Sequence, residues 1–346
     1  MTEESSTISH LSVAMTTNEA DKTQTTDGNI MTKSSSAIGY EFYMRLCVVV
    51  LGAVGTAGNA LILYALLASK QHKKHLLIVN QNVLDLFASF FLCLTFAVRM
   101  FDVPLTGQLG HWLCVAFLSE ILIWFGTNGS MINLGLITID RYLMVVHPVR
   151  SKKLLRPWVI RSGMATAWLL AIVYNTVHVL HSTNVVDGDC VSYVIPHDDA
   201  SNMAAIIAYI VFFYFIILAI FIFCYWRILI ALRRQAKVMA SHSAARTSNV
   251  SQAQSHRIQS NVIKTMVLVS ALYVIAWMPH NIHYLLAAAE LIPFPSLFDT
   301  STHYALTLIA FLCTTINPFI YATKFHPVRK ILIKMIPCKN PGSAMQ

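Results

Sequence analysis

The chain alternates between long apolar stretches and short polar segments. Three of the stretches, at 46–69, 203–226 and 304–323, contain no charged residue. Each has the roughly 20 residues that a helix needs to cross about 30 Å of hydrocarbon. Backbone groups in lipid must find their hydrogen bonds within the segment. The pattern therefore predicts membrane-spanning helices rather than loops or open strands.

Seven such stretches occur, at about 43–69, 76–99, 113–140, 158–180, 203–227, 263–288 and 303–323. They predict an all-α membrane protein with a seven-helix transmembrane bundle at 43–323. The preceding tail at 1–42 is polar and rich in Ser and Thr, so we expect it to be disordered. The segment at 324–346 is predicted to form a short amphipathic eighth helix and a tail.

Composition agrees with a membrane protein. Of the 346 residues 56% are apolar and 12% are charged, whereas soluble domains carry about 25% charged residues. A soluble globular protein is therefore excluded.

Basic residues accumulate in alternate loops, and this distribution predicts the orientation. By the positive-inside rule these loops face the cytoplasm, which places the amino terminus outside and the carboxyl terminus inside, at the plasma membrane. The net charge of +9 suits the anionic inner leaflet and a cytoplasmic partner rather than nucleic acid. The basic loop residues include Lys70, Lys73, Arg150, Lys152, Arg156, Arg233, Lys237, Arg329 and Lys334. On the opposite side Arg99 stands nearly alone.

Polar residues inside the spans need an explanation, because a charge in the bilayer costs about 2.5–3.5 kcal/mol. Asp85 lies midway along the second span, Asn59 along the first, and Asn317 near the inner end of the seventh. One interpretation is a polar cluster that joins helices. The other is a cation site, for an ion such as sodium, with oxygen ligands from Asp85, Ser130 and Asn317. Both remain open.

Two further features point to a helix bundle that changes conformation. Asp140, Arg141 and Tyr142 end the third span, where the arginine can pair with its neighbour and later be released. Pro279 and Pro318 lie inside spans, where they remove backbone hydrogen bonds and kink the helix.

These residues resemble the signature of rhodopsin-like (class A) G-protein-coupled receptors, from about residue 43 to 338. The matching motifs are Gly58-Asn59, Leu84-Asp85, Asp140-Arg141-Tyr142, Trp168, Trp277-Met278-Pro279 and Asn317-Pro318-Phe319-Ile320-Tyr321. The resemblance implies an extracellular ligand, a heterotrimeric G protein, and arrestin and receptor kinases as further partners. It implies an activation switch built from Asp140, Arg141, Tyr142, Tyr225, Trp277, Pro279, Asn317, Pro318 and Tyr321.

The resemblance also implies a disulfide between Cys114 and Cys190. Cys114 precedes Arg141 by about two residues more than is usual in the family, so we expect the outer half of the third span to bulge or to start differently. Gln259 stands where the family often has an acid that holds Arg141 at rest, which predicts measurable signalling without ligand. Ile217 replaces the usual proline of the fifth span.

For the ligand, the resemblance argues against two classes. Phe311 stands where opsins carry the retinal lysine, and Ile123 stands where amine receptors carry an aspartate. Acidic outer loops favour a short, basic peptide, although topology alone also makes outer loops acidic. A small non-amine ligand is the alternative. The predicted pocket residues are Glu120, Ile123, Trp124, Thr127, His280, Asn281, Tyr284 and Thr307.

The segment after the seventh span alternates apolar and basic residues, which is typical of an amphipathic helix on a membrane surface. Cys338 follows it and is a candidate for palmitoylation. Neither a nucleophile with its base nor a metal-ligand spacing is visible, so we do not expect an enzyme. A transporter is disfavoured because the chain has no internal repeat.

Overall fold

The structure is a computed structural model that describes residues 39–70, 75–101, 104–186, 188–192, 204, 207–243, 250–289, 291–292 and 301–335. Within these residues, seven helices are long and apolar enough to cross a membrane. The seven predicted spans are thereby confirmed. Their bounds are Gly39–Ala68, Leu76–Phe101, Gly107–Val146, Pro157–Leu180, Ile207–Gln235, Ile263–Ala287 and Tyr304–Lys324.

The helices bury one side against each other and leave large apolar side chains on the outside of the bundle. Phe90, Leu170 and Phe223 are examples, each about half exposed or more. In water such a surface would be unfavourable, but lipid tails are as apolar as these side chains. The largest cluster of buried apolar residues in the bundle includes Trp277, Tyr321 and Phe96.

The second and third spans pack with little space between them. A Cβ atom at Gly126 would lie 2.8 Å from the Ala88 nitrogen, and one at Gly129 would lie 2.7 Å from a Leu84 methyl carbon. Small residues at such positions allow close backbone approach in membrane bundles. This contact positions Asp85 of the second span against Ser130 of the third.

The outer half of the third span is not a continuous α-helix. An α-helix at Gly107–Leu113 leads into a π-helical turn at Cys114–Leu118, and a second α-helix begins at Ile121 and ends at Val146. Between them Glu120 adopts a left-handed conformation with φ of 65°, which costs a non-glycine residue about 1 kcal/mol or more. The expected irregularity is therefore present.

A β-hairpin follows the fourth span, whose helix Pro157–Ser182 ends where the hairpin begins. Strand β1 is Thr183–Val186 and strand β2 is Asp189–Ser192, paired antiparallel with Val185 opposite Cys190. The predicted disulfide is confirmed: Cys190 is bonded to Cys114. The hairpin is thereby fixed to the irregular part of the third span.

The fifth and sixth spans belong to longer helices. The fifth contains a π-helical turn at Val211–Phe215 and continues as Ile216–Ser243, so Ile217 is the second residue after the turn. The sixth is part of Val250–Ala288, with Pro279 inside it. The helix Ser301–Lys324 contains Pro318.

A last helix, His326–Met335, follows the seventh span. Val328 is fully buried against the core, whereas Arg329, Lys330 and Lys334 are exposed. Its placement on a membrane surface stays a prediction. Cys338 lies outside the described residues, as does the predicted tail up to residue 38; the first helix begins at Gly39, before the predicted start at 43.

Candidate functional site

The end of the bundle that bears the hairpin is called the outer end here, and the end that bears Arg141 the inner end. In the outer half five rings form a cluster. Ring centroids are 5.8 Å apart for Trp124 and Trp277, 6.0 Å for Trp124 and His280, and 4.7 Å for His280 and Tyr284. Phe311 lies 5.8 Å from Trp277. These separations lie within the favourable range for aromatic pairs, so helices three, six and seven meet through rings.

Four other residues of the predicted pocket are buried around this cluster: Ile123, Thr127, Asn281 and Thr307. The Thr127 hydroxyl donates to the Ile123 carbonyl at 2.9 Å, and Asn281 Nδ2 donates to the Trp277 carbonyl at 2.8 Å. Both polar groups thus bond within their own helix. The structure brings Trp124, His280 and Tyr284 together, and these four are buried on the same three spans, the third, sixth and seventh.

Three aromatic residues that the sequence did not single out extend the ring cluster toward the fourth and fifth spans. Tyr209 lies 6.4 Å from Trp124, 5.6 Å from Tyr174 and 5.2 Å from Phe213, centroid to centroid. Its hydroxyl donates to Asn128 Oδ1 at 3.2 Å. A run of aromatic residues in the apolar fifth span was visible in the sequence, but lipid-facing rings give the same pattern.

Glu120, the charged member of the predicted pocket, is engaged by Arg99. Arg99 Nη1 lies 2.7 Å from Glu120 Oε1, and its Nη2 donates to the Leu118 carbonyl at 2.6 Å. The Glu120 side chain is 9% exposed. Arg99 therefore contacts both the Glu120 carboxylate and the backbone of the irregular segment between Gly107 and Glu120. In the sequence, Arg99 stands out because the outer loops contain almost no other basic residue.

A second arginine joins the first and seventh spans to this pair. Arg45 Nη1 donates to the Arg99 carbonyl at 2.8 Å, and Arg45 also forms an ion pair with Glu41. The Tyr304 hydroxyl donates to Glu41 Oε1 at 3.1 Å. The outer ends of four spans are thus connected by charged hydrogen bonds, which are stronger than neutral ones. Sequence reasoning missed Arg45 and Tyr304.

In the middle of the bundle the three residues of the predicted cation site meet. Ser130 Oγ donates to Asp85 Oδ1 at 2.6 Å, and Asn317 Nδ2 donates to Asp85 Oδ2 at 2.9 Å. Asp85 is fully buried. Gln81, which the sequence did not single out, donates to the same carboxylate and to Ser130. In the sequence, the sign of such a role is that Gln81 is polar and lies one helical turn before Asp85 in an apolar span.

At the inner end Arg141 faces its neighbour Asp140. Arg141 Nε lies 3.4 Å from Asp140 Oδ2, and both side chains are mostly buried. The Tyr142 hydroxyl is 3.1 Å from His147 Nε2. The pairing that the sequence suggested for a resting arginine is therefore present. The side chain of Gln259, the residue in place of the family's acid, lies outside what the structure describes.

Hydrogen bonds join the third, fifth and sixth spans near this inner end. The Tyr225 hydroxyl lies 2.7 Å from Ser270 Oγ and 3.1 Å from Thr138 Oγ1. Tyr225 belongs to the fifth span, Ser270 to the sixth and Thr138 to the third. Movement of the sixth span relative to the third would break at least one of these bonds.

Packed rings fill the space between the ring cluster and the inner end. Trp277 lies 6.2 Å from Tyr273, and Tyr273 lies 6.4 Å from Phe221, centroid to centroid. Trp277 is fully buried two residues before Pro279. Tyr321 is fully buried three residues after Pro318. Two of the predicted switch rings, Trp277 and Tyr321, therefore lie close to a proline that interrupts their helix.

A bundle of seven spans with a ring-lined outer half, and with an arginine held at its inner end, defines a seven-transmembrane receptor. The family described as "7 transmembrane receptor (rhodopsin family)" matches residues 58–321. The chain belongs to this family. The crystal structure of squid rhodopsin has the same fold, with a TM-score of 0.71 and 17% identity, over 87% of this chain and 86% of that one.

Two kinds of receptor are similar in sequence. Galanin receptor type 1 of Homo sapiens is 26% identical over 326 residues, which cover 87% of this chain and 84% of that receptor. Melanopsin-A of Gadus morhua is 28% identical over 337 residues, which cover 93% of this chain. The chain spans 57% of the length of that melanopsin.

Family membership confirms several predictions together. The family and the similar proteins are receptors rather than enzymes. Membership implies a ligand, coupling to heterotrimeric G proteins, and a place in the plasma membrane as a multi-pass protein.

Proposed function

We propose that this receptor binds a short peptide whose apolar or aromatic side chain contacts Trp124, His280 and Tyr284. The observation that carries the proposal is the ring cluster in the outer half of the bundle. Ligand pockets are mostly apolar and aromatic with a few placed polar groups, and aromatic anchors dominate peptide recognition. The similarity to galanin receptors supports a peptide ligand.

Charge plays a smaller part in this proposal than the acidic outer loops suggested. Glu120 already pairs with Arg99, and Glu41 pairs with Arg45. A cationic ligand would have to displace an arginine to reach either acid. We therefore propose that ring contacts hold the peptide, whereas a basic character would affect mainly how fast it arrives.

The similarity to a melanopsin raises light detection as a second function. We propose that the receptor does not detect light through retinal, because Phe311 stands where opsins carry the retinal lysine. Phe311 is buried between Trp124 and Trp277, at 6.1 and 5.8 Å. In the seventh span the structure describes one lysine, Lys324, which lies at the inner end.

A screen with purified receptor and heterotrimeric G protein tests the ligand class. Basic peptides, neutral peptides and small non-amine compounds form three arms, with nucleotide exchange on the G protein as readout. We expect activation from a peptide arm. Trp124→Ala should raise the activating concentration at least about thirtyfold, because an aromatic anchor is worth about 2 kcal/mol or more and about 1.4 kcal/mol is tenfold. Activation by small compounds alone would contradict the proposal.

Trp158→Ala is the matched control for that variant. Trp158 is 64% exposed near the inner end of the fourth span, far along the helix from the ring cluster. Its replacement should leave the activating concentration unchanged. Equal losses in both variants would show that the tryptophan effect is not specific to the pocket.

We propose further that the amino terminus faces outside and that the inner end binds the G protein through Arg141. The support is the charge of the loops and the disulfide, which forms in oxidising compartments. Arrestin and receptor kinases are proposed partners of the same face. An epitope tag at the amino terminus should be accessible to antibody on intact cells, and a tag at the carboxyl terminus only after permeabilisation.

A further inference from the structure

A chain of buried carboxamide side chains connects the fourth span to Asp85. Trp168 Nε1 donates to Asn80 Oδ1 at 3.1 Å, Asn80 Nδ2 donates to Asn133 Oδ1 at 2.9 Å, and Asn133 Nδ2 donates to Gln81 Oε1 at 2.8 Å. Gln81 Nε2 ends the chain at the two oxygens of Asp85, at 3.3 and 3.4 Å. The three amide side chains are at most 6% exposed.

The two ends of this amide chain determine how every member is oriented. An amide group can be turned so that its oxygen and nitrogen exchange places, and only its partners decide between the two positions. Trp168 at one end is a donor only, whereas an ionised Asp85 at the other end is an acceptor only. Each amide between them therefore receives a hydrogen bond on its oxygen and passes one on from its nitrogen.

Gln81 consequently presents N–H groups to the carboxylate. Ser130 Oγ also donates to Asp85, and so does Asn317 Nδ2. A carboxylate offers about four lone-pair positions, and these donors occupy both oxygens. A hard cation such as sodium needs oxygen lone pairs directed toward it, but here hydrogen atoms face the carboxylate. The residues present do not fit a bound cation.

Gln81 cannot simply turn to offer its oxygen. A reversed amide would place its oxygen against the carboxylate and its nitrogen against Asn133 Nδ2, which also donates to the Leu77 carbonyl at 2.9 Å. Both contacts would be repulsive. Relief would require Asn133 and Asn80 to turn as well, until the donor-only indole of Trp168 lost its acceptor. Buried polar groups without partners cost about 1–3 kcal/mol each.

We propose that the Gln81 carboxamide takes the place of a cation at Asp85, held by the amide chain that begins at Trp168, so that the folded receptor does not depend on sodium. The sequence had suggested a sodium site at Asp85, Ser130 and Asn317. Those residues do meet, and Gln81 completes the hydrogen bonding of the carboxylate. The second span thus supplies both the charge and the group that satisfies it.

Thermal unfolding of the purified receptor tests this proposal without ligand or G protein. The melting temperature is measured in sodium chloride and in N-methyl-D-glucamine chloride at equal ionic strength, with potassium chloride as a specificity control. For the wild type we expect equal values. For Gln81→Leu we expect a saturable rise of at least about 2 °C in sodium. The rise should be absent from the double variant Gln81→Leu/Asp85→Asn.

A second variant keeps the test decisive if Gln81→Leu does not fold. Asn133→Ala removes the group that holds Gln81 Oε1, so Gln81 can turn and a smaller sodium response should appear. Asn82→Ala is the matched control: Asn82 is buried on the same helix but donates to the Ile78 carbonyl, away from this chain. It should show no sodium response.

Two outcomes would overturn the proposal. The first is a saturable sodium-dependent rise in the wild type that Asp85→Asn abolishes, since sodium would then bind despite Gln81. The second is folded Gln81→Leu or Asn133→Ala protein with the same melting temperature in both salts. In that case Gln81 would be a structural bridge only.

Discussion

The two ends of the third span are built on different principles. From Ile121 to Val146 the chain is a regular α-helix, and its register places Arg141 near the inner end. From Gly107 to Glu120 the segment is irregular, with a π-helical turn and a left-handed residue. A disulfide to Cys190 and an ion pair to Arg99 hold this outer part. The inner part therefore has regular helical geometry, whereas the shape of the irregular outer part is fixed by a disulfide and an ion pair.

The difference explains the unusual spacing between Cys114 and Arg141. A π-helical turn accommodates an additional residue without shifting the helix that follows, and the left-handed Glu120 lies two residues after its end. The extra length is thus absorbed before Ile121. Trp124, Ser130 and Asp140 all follow the break in one continuous helix, so the outer end can vary while the inner register is kept.

The largest expected effect comes from the inner end. Arg141→Ala removes the cation that pairs with Asp140 and that we propose contacts the G protein. Nucleotide exchange should fall to the rate of the G protein alone, whereas ligand binding by the folded protein should persist. The melting temperature should fall, because Asp140 is left buried without its partner. Arg156→Ala, at an exposed inner arginine, is the control and should exchange normally. Normal nucleotide exchange by folded Arg141→Ala protein would show that Arg141 is not needed to activate the G protein.

The next effect concerns the disulfide. Cys114→Ser should lower stability by about 2–5 kcal/mol, the usual loss for a native disulfide, and Cys114→Ser/Cys190→Ser should lose about the same. Hydrogen exchange should accelerate at 107–120 and stay slow at 130–146, which tests the contrast directly. Cys47→Ser is the control, because Cys47 is a free, exposed cysteine. Equal acceleration along the whole span would show that its two ends are not independent.

The smallest effect comes from the ion pair, in a double-mutant cycle of Arg99→Met and Glu120→Gln. The side chains are 27% and 9% exposed, so each single variant should lose about 1–3 kcal/mol, less than for a fully buried pair. The double variant should lose clearly less than the sum, because neither charge is then left alone. Thermal unfolding supplies the values. Strict additivity would mean that Arg99 acts through the Leu118 carbonyl alone.

Much of the bundle follows from the sequence, because the bilayer imposes length and apolarity on each span. The motifs around Asp85, Arg141, Trp277 and Asn317 are local and were readable. Arg99 and Glu120 were both noticed, but their pairing depends on a break that no residue preference announces: glutamate rarely adopts a left-handed conformation. Gln81 was missed because its role depends on Asn133 and Trp168, which belong to the third and fourth spans.

One consequence follows from Pro279 and the unequal lengths on its two sides. At roughly 1.5 Å of rise per residue, the helix extends about 44 Å from Pro279 inward to Val250 but only about 14 Å outward to Ala288. Rotation about the proline would make the sixth helix a lever whose inner arm is about three times as long as its outer arm. A displacement of 1 Å among the outer rings would then sweep the inner tip by about 3 Å. The position of Pro279 along the helix therefore determines how much an outer displacement is amplified at the inner end.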